Sequence, residues 1–352
     1  MDQADVRAIA FYLPQYHPIP ENDLWWGKDF TEWVSVLGAR ELFPGHYQPH
    51  LPDKKLGFYD LRDPAVQVRQ AQLAKRSGIH GFCYYYYWFS GKKLLERPVQ
   101  AMLESGKPNF PFCLCWANGD WTRTWTGKDN IILMRQEYGF EDSRRFLRDV
   151  APFLADSRYI RVNNKPLLIV FSPDLIPDIR RTADMWREEA AKLGLGELYL
   201  AKVENHGKEL KPAEVGFDAA IEFAPDWRQR GEAVNDTIPV SMPPYVLDYR
   251  DILDNMSAKP APDYTLFRGV FPGWDNTPRK GEKGLVFVNS SPKLFAEFLG
   301  RALEYTKQHL RGEERLLFIN AWNEWGEGCH LEPDQKYGET LLSICRKLIL
   351  KR

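Results

Sequence analysis

Long hydrophobic runs are missing from this 352-residue sequence. None approaches the ~20 apolar residues that a membrane-crossing helix needs. The opening MDQADVRAIAFYLPQ has no basic region leading into a long apolar stretch, so no signal peptide is expected. An excess of one charge is missing too. Lys and Arg number 47 against 48 Asp and Glu, and the formal net charge of −1 gives no reason to expect nucleic acid or an anionic membrane as partner. Cysteine is sparse: Cys83, Cys113, Cys115, Cys329 and Cys345 are odd in number and lack a disulfide-like spacing, which fits a reducing cytoplasm. Also absent are a GxGxxG fingerprint, a GxSxG elbow and any HExxH or HxH pattern. These absences argue against a dinucleotide enzyme, an elbow-type serine hydrolase and a zinc protease. His17, His46, His50, His80, His206 and His330 are scattered, so no cofactor and no required metal are expected.

Aromatic residues are what the chain has in plenty. Twelve Trp, sixteen Tyr and twenty Phe make 14% of it, and many stand beside polar residues. Indole and phenol rings stack on the C–H faces of sugars, which points to carbohydrate; a large aromatic core is the plainer explanation. Strand-like and helix-like segments alternate eight times. The expected strands are Val6–Leu13, Ile79–Tyr87, Phe112–Trp116, Lys165–Phe171, Glu197–Val203, Phe217–Phe223, Leu266–Phe271 and the run starting at Leu316. Helices are expected from Pro64, then at Leu94–Glu104, Phe140–Leu154, Ile179–Leu193, Tyr245–Met256, Pro292–Gln308 and Lys336–Leu350. The alternation predicts an α/β fold, a parallel (β/α)8 TIM-like barrel. With no linker, repeat or low-complexity tract, residues 1–352 read as a single domain with long βα loops. One such loop spans 14–61, and an irregular insertion covers about 224–264.

The polar aromatics fall repeatedly after a strand and before a helix. Examples are Gln15-Tyr16-His17, Trp88, Trp116-Asn118-Trp121, Glu204-His206 and Trp274-Asp275-Asn276. In a barrel all such strand ends share one rim, the rim that carries the chemistry. The sharpest case is Leu316–Pro333, LLFINAWNEWGEGCHLEP, where a buried strand runs into two carboxylates, Glu324 and Glu327. Two acids at a barrel rim suit glycosidic cleavage. One protonates the leaving oxygen while the other stabilises or attacks the charge developing at the sugar carbon. Their environments must then hold one neutral and one ionised. Trp322 and Trp325 are placed to shield them, Asn320 and Asn323 to hydrogen-bond the ionised partner. Glu332, before Pro333, reads either as a ligand contact or as a helix-start cap.

Six segments together resemble the WbsX-type, glycoside hydrolase family 99-like domain. They are AFYLPQYHPIPENDLWWGKDFTEW, HYQPHLP, GFYDLRDP, GIHGFCYYYYWF, FCLCWANGDWTRTW and FINAWNEWGEGCHLEPDQKYG, and the resemblance runs from Ala8 to about Tyr337. Such proteins are found with O-antigen and other bacterial polysaccharide genes, and many are labelled glycosyltransferases. The related hydrolases are endo-acting α-mannosidases with a Glu-Trp-x-Glu segment, matched by Glu324-Trp325-Gly326-Glu327. The resemblance implies that Glu327 is the general acid/base and Glu324 the base on the sugar 2-hydroxyl, with retention through an anhydro sugar. Gly326 stands where the hydrolases carry a bulkier residue. The activity implied is a retaining glycoside hydrolase or transglycosidase on an α-linked polysaccharide, such as O-antigen with manno- or rhamno-configured sugars. The alternative is a glycosyltransferase of O-antigen or lipopolysaccharide assembly, for which no convincing DxD-like motif is found. Tyr16, His17, Trp88, Trp116, Asn118, Trp121, Asn276 and Asn323 are the expected sugar contacts.

Overall fold

Eight short apolar runs become the staves of one sheet. The computed structural model describes residues 5–123, 128–205, 210–234 and 245–351. Its barrel strands are β1 (Arg7–Tyr12), β2 (Ile79–Phe89), β3 (Phe112–Trp116), β4 (Lys165–Val170), β5 (Tyr199–Glu204), β6 (Ala219–Glu222), β7 and β8 (Leu316–Ile319). Strand β7 comes in two segments, Leu266–Phe267 and Gly269–Val270, divided at Arg268. All pair in parallel. The first segment of β7 lies on β6 and the second on β8, and β8 runs on through β1 to β6, so the sheet comes round to a nearly closed barrel. The break in β7 has a steric side: a Cβ on Gly269 would stand 2.1 Å from the Glu222 carbonyl oxygen, so only glycine lets the backbones come this close.

Alternation along each strand sorts the aromatics into two layers. Phe11, Tyr85, Phe171, Phe223 and Phe318 meet inside the barrel, with ring centroids 5.4 Å apart for Phe11 and Tyr85 and 5.6 Å for Phe11 and Phe318. Their neighbours of opposite parity face the helices. Tyr12 donates to Gln70 and Tyr86 to Asp149 from that outer side.

The helices are α1 (Pro20–Trp26), α2 (Glu32–Gly38), α3 (Pro64–Arg76), α4 (Arg97–Ser105), α5 (Phe140–Ala155), α6 (Ile179–Lys192), α7 (Tyr249–Ala258), α8 (Thr277–Lys280), α9 (Pro292–His309) and α10 (Thr340–Ile349). Asp63 caps α3 by accepting from the Ala65 N–H, with Pro64 in the first turn. The loop 14–61 contains α1 and α2. One expectation shifts in the insertion: Tyr245–Asp248 is a strand paired in parallel with Leu285–Val288, and the helix starts only at Tyr249, capped by Asp248. A four-residue apolar run does not distinguish strand from helix by period. Residues 235–244 of that insertion, and His206, lie outside the described residues. No described helix is long and apolar enough to cross a membrane. All five cysteines are free and buried.

Candidate active site

Past β8 the chain folds into a small hairpin. Asn323–Glu324 pairs antiparallel with Cys329–His330, and a single 3-10 turn, Trp325–Glu327, joins them. Gly328 closes the turn at φ +57°, a left-handed conformation that costs glycine little. The hairpin is tied to its surroundings by groups drawn from β1 and its loop. Asn323 accepts from the Leu13 N–H at 2.8 Å and donates to the Leu13 carbonyl at 3.0 Å. The Tyr16 hydroxyl donates to the Asn323 carbonyl and accepts from the Trp325 N–H. The Asp275 N–H donates to the Glu327 carbonyl at 2.7 Å.

One guanidinium gathers three carboxylates here. Arg279, in α8, donates through Nε to Glu32 at 2.7 Å, through NH1 to Glu327 at 2.6 Å and through NH2 to Glu324 at 2.8 Å. The Glu32 side chain is 0% exposed, Glu324 8% and Glu327 20%, so Glu327 is the most accessible of the three. Burial alone would lower the Arg279 pKa, but its three anions hold it well above the ordinary value. Burial also drives Glu324 up to about 8, more than Arg279 pulls it down, with Glu327 and Glu32 adding to the rise. Glu327 is raised for the same reason, burial first, and Lys280 and Arg279 oppose it. Held at about 8, Glu324 keeps its proton at neutral pH.

Behind the hairpin lies a second carboxylate knot. Glu332 is 1% exposed. Its Oε1 accepts from Gln70 and from the Trp322 indole, and its Oε2 from Tyr59 and the Trp325 indole, at 2.7–3.0 Å. Burial pushes it up to about 7 against those four donors. His330 stacks on Trp325 with centroids 3.7 Å apart and meets His50 at 3.3 Å between ring nitrogens.

These groups give the fold a pH optimum. Burial holds His17, His50, His80 and His330 down at about 4. Between there and the free imidazole value of ~6.5 the unfolded chain binds more protons, so stability rises with pH. Glu324 and Glu332 act oppositely: the folded chain keeps protons that free carboxyls release above ~4.3, so their contribution is lost as pH rises through about 8 for Glu324 and about 7 for Glu332. Below pH ~6.5 the four histidines, each lowered to about 4, act against the carboxyls, and above it only the carboxyls act. Thermal midpoints followed by circular dichroism are expected to peak near pH ~6.5 and to decline toward pH ~8. A midpoint still climbing above that range would contradict the assignment.

The structure distributes the expected sugar contacts unevenly. Glu324 and Glu327 come together at the barrel mouth. Tyr16, Asn323 and Glu332 hold the hairpin rather than line open space. Trp88 and Trp116 are of the outward parity: both are buried, Trp116 stacked on Phe146 of α5 at 4.2 Å, where no sugar face is available. Asn118 joins two loops, accepting from the Ser172 N–H and donating to its carbonyl. His17 is buried beside the Asp60–Arg62 pair. Asn276 accepts from the Leu285 N–H and so sets the start of α8. Trp121 is half-buried in an aromatic group with Trp25, Tyr87 and Phe89, at centroid distances of 5.2–6.2 Å. Within that group Tyr87 feels the charge of Glu324, which adds to the rise that burial causes in its pKa. A cavity of about 370 Å³ opens by Gly328, lined by Phe43, His46, Tyr47, Trp274 and Tyr337 among others. Glu32 stands in the first of the six resembling segments with no role read for it, and Arg279 stands in none; neither position carries a signal of its partner. Among the described residues no cluster of three or more His, Cys, Asp or Glu could hold a metal ion.

The barrel resembles solved glycoside hydrolases. A "glycoside hydrolase-like protein" superposes with TM-score 0.64 at 14% identity, covering 98% of this chain and 94% of the other. The GH99 endo-alpha-mannosidase from Bacteroides thetaiotaomicron, in complex with bis-tris-propane, gives 0.61 at 13% identity over 99% and 98%. Identities this low speak for the fold. In sequence the chain is 42% identical over 349 residues to the uncharacterized protein WxcX of two Xanthomonas campestris pv. campestris strains. The alignment covers 97% of this chain and 49% of theirs, so the chain spans about half the length of those relatives. The family profile described as "Glycosyltransferase WbsX" matches residues 8–345, and the chain therefore belongs to the WbsX family.

Proposed function

We propose that the chain is a retaining glycoside hydrolase or transglycosidase acting on an α-linked bacterial polysaccharide with manno- or rhamno-configured sugars. The observation that carries this is the bridged pair: two buried rim carboxylates of unequal exposure, joined through one guanidinium and retaining a proton. Glu324 takes the proton of the sugar 2-hydroxyl while that oxygen attacks the anomeric carbon. Glu327 gives a proton to the departing glycosidic oxygen, and the C–O bond to the leaving group breaks. Water, or an acceptor hydroxyl, then opens the anhydro sugar at the anomeric carbon, losing its proton to Glu327 as Glu324 returns one to O2. Two inversions leave the configuration retained. The chemistry selects its sugar: in α-mannosides and α-rhamnosides the 2-oxygen and the leaving group are trans-diaxial, as internal displacement demands.

The family's description as a glycosyltransferase supports a second reading, transfer from a nucleotide sugar. Incubation with mannose- and rhamnose-containing polysaccharides, with products followed by NMR, tests both. Release or transfer of α-configured product without nucleotide is expected, and a 2-deoxy glycoside should be inert. Product formed only with a nucleotide sugar would replace the hydrolase reading by the transferase one.

A further inference from the structure

Gly326 sits between the two acids, and its backbone does not explain it. Its φ is not in the left-handed region, so any residue could adopt it. Space explains it. A Cβ at 326 would lie 1.7 Å from Glu32 Oε1 and 2.9 Å from Arg279 Nε. The volume that a side chain would fill is occupied by the Glu32 carboxylate, brought in by α2 from the long loop after β1. That carboxylate is fully buried, spends Oε1 on Arg279, and has no hydrogen-bond partner for Oε2 among the described residues. A buried anion with one oxygen unsatisfied is a costly arrangement to keep for packing alone.

We propose that Glu32 is a positioning residue of the active centre: seated in the space left at Gly326, it fixes how Arg279 divides its charge between Glu324 and Glu327. Glu32 does not touch the substrate; it acts through the guanidinium. With one of three donor directions of Arg279 committed to Glu32, NH1 and NH2 are aimed at one acid each. The Glu32 charge opposes ionisation of both acids. The other groups facing the cluster are Tyr16 from the β1 loop, Tyr85 and Tyr87 from β2, Lys280 from α8 and Cys329 from the hairpin. The tyrosines and the cysteine are pushed upward by burial and stay neutral at physiological pH, leaving Arg279 and Lys280 as the opposing charges. Removing the Glu32 charge therefore makes Glu324 and Glu327 easier to ionise. The catalytic meaning rests on the roles proposed for those two acids, whereas the charge relation does not.

The test reads carboxyl titrations in the resting protein, so it needs no substrate. Isotope-labelled glutamate side chains are followed by NMR across pH, with Glu324→Gln and Glu327→Gln supplying the assignments. Glu32→Gln keeps an oxygen for Arg279 Nε and removes only charge. It is expected to move both midpoints downward by about one pH unit or more. Midpoints that stay in place in a folded Glu32→Gln protein would overturn the proposal and leave Glu32 a packing residue. A double-mutant cycle covers the case of poor folding. Gly326→Ala should destabilise the parent strongly and a Glu32→Ala background far less, because the competitor for the space is gone. Equal cost in both backgrounds would also overturn it. Failure of glycan turnover with a normal titration shift would count against the proposed function and not against this charge relation.

Discussion

Glu327→Gln is expected to lower glycan turnover about 10²–10⁴-fold while leaving the thermal midpoint nearly unchanged. Glutamine keeps the side-chain length and an oxygen for Arg279 NH1, now 2.6 Å from Glu327. It loses only the transferable proton. Since the leaving group is what needs that proton, a substrate whose leaving group is already acidic should recover most of the rate in the first step. Glu324→Gln should show no such recovery, because its task lies at the 2-hydroxyl. The resting charge distribution adds a condition. Burial raises both acids, Glu324 to about 8, and the proposed roles need the proton on Glu327. A bound sugar whose 2-hydroxyl donates to Glu324 would stabilise that anion and so favour the proton on the more exposed Glu327. Steady-state rates of both variants on one natural and one activated glycoside decide the matter. Turnover of Glu327→Gln within a few-fold of the parent on the natural glycan would sink the mechanism.

Local patterns were legible and long-range pairings were not. All eight barrel strands begin within a few residues of the apolar runs that announce them, and the strand LLFI ends, as read, before Asn323-Glu324-Trp325-Gly326-Glu327. The side of each strand was harder. Trp88 and Trp116 stand beside polar loops, as rim residues would, yet parity sends them toward α5 and α6. In β2 every position of the Tyr84–Tyr87 run is aromatic, so the sequence offers no alternation from which to read a face. Arg279 and Glu32 lie 247 positions apart and meet only because α2 and α8 both lean on the Trp325–Glu327 turn. Gly326 could be seen as permissive of a tight turn; that it makes room for another carboxylate is visible only once the loop is folded back.

Glu332 separates the two kinds of reading most sharply. As a sugar contact it could be truncated with loss of affinity and little loss of fold. As the acceptor of four buried donors it cannot. Glu332→Ala leaves four buried donors, the Tyr59 hydroxyl, the Gln70 amide and the indoles of Trp322 and Trp325, without their acceptor in a site closed to water. At roughly 1–3 kcal/mol for each unsatisfied buried group, even partial relaxation implies a loss of about 4 kcal/mol, a large share of the ~5–15 kcal/mol that holds a domain together. Glu332→Gln should fall between Ala and the parent. One amide oxygen can still serve one pair of donors, but the amide nitrogen then faces the other pair, where the Tyr59 hydroxyl can turn to accept and an indole N–H cannot. Denaturant melts with near-ultraviolet dichroism of the tryptophans give the order. The activity consequence follows from position: Trp325 lies between the two acids proposed for catalysis, so loosening its indole loosens the turn that aims both carboxylates at Arg279. A Glu332→Ala protein that melts like the parent and loses only glycan affinity would return this residue to the substrate.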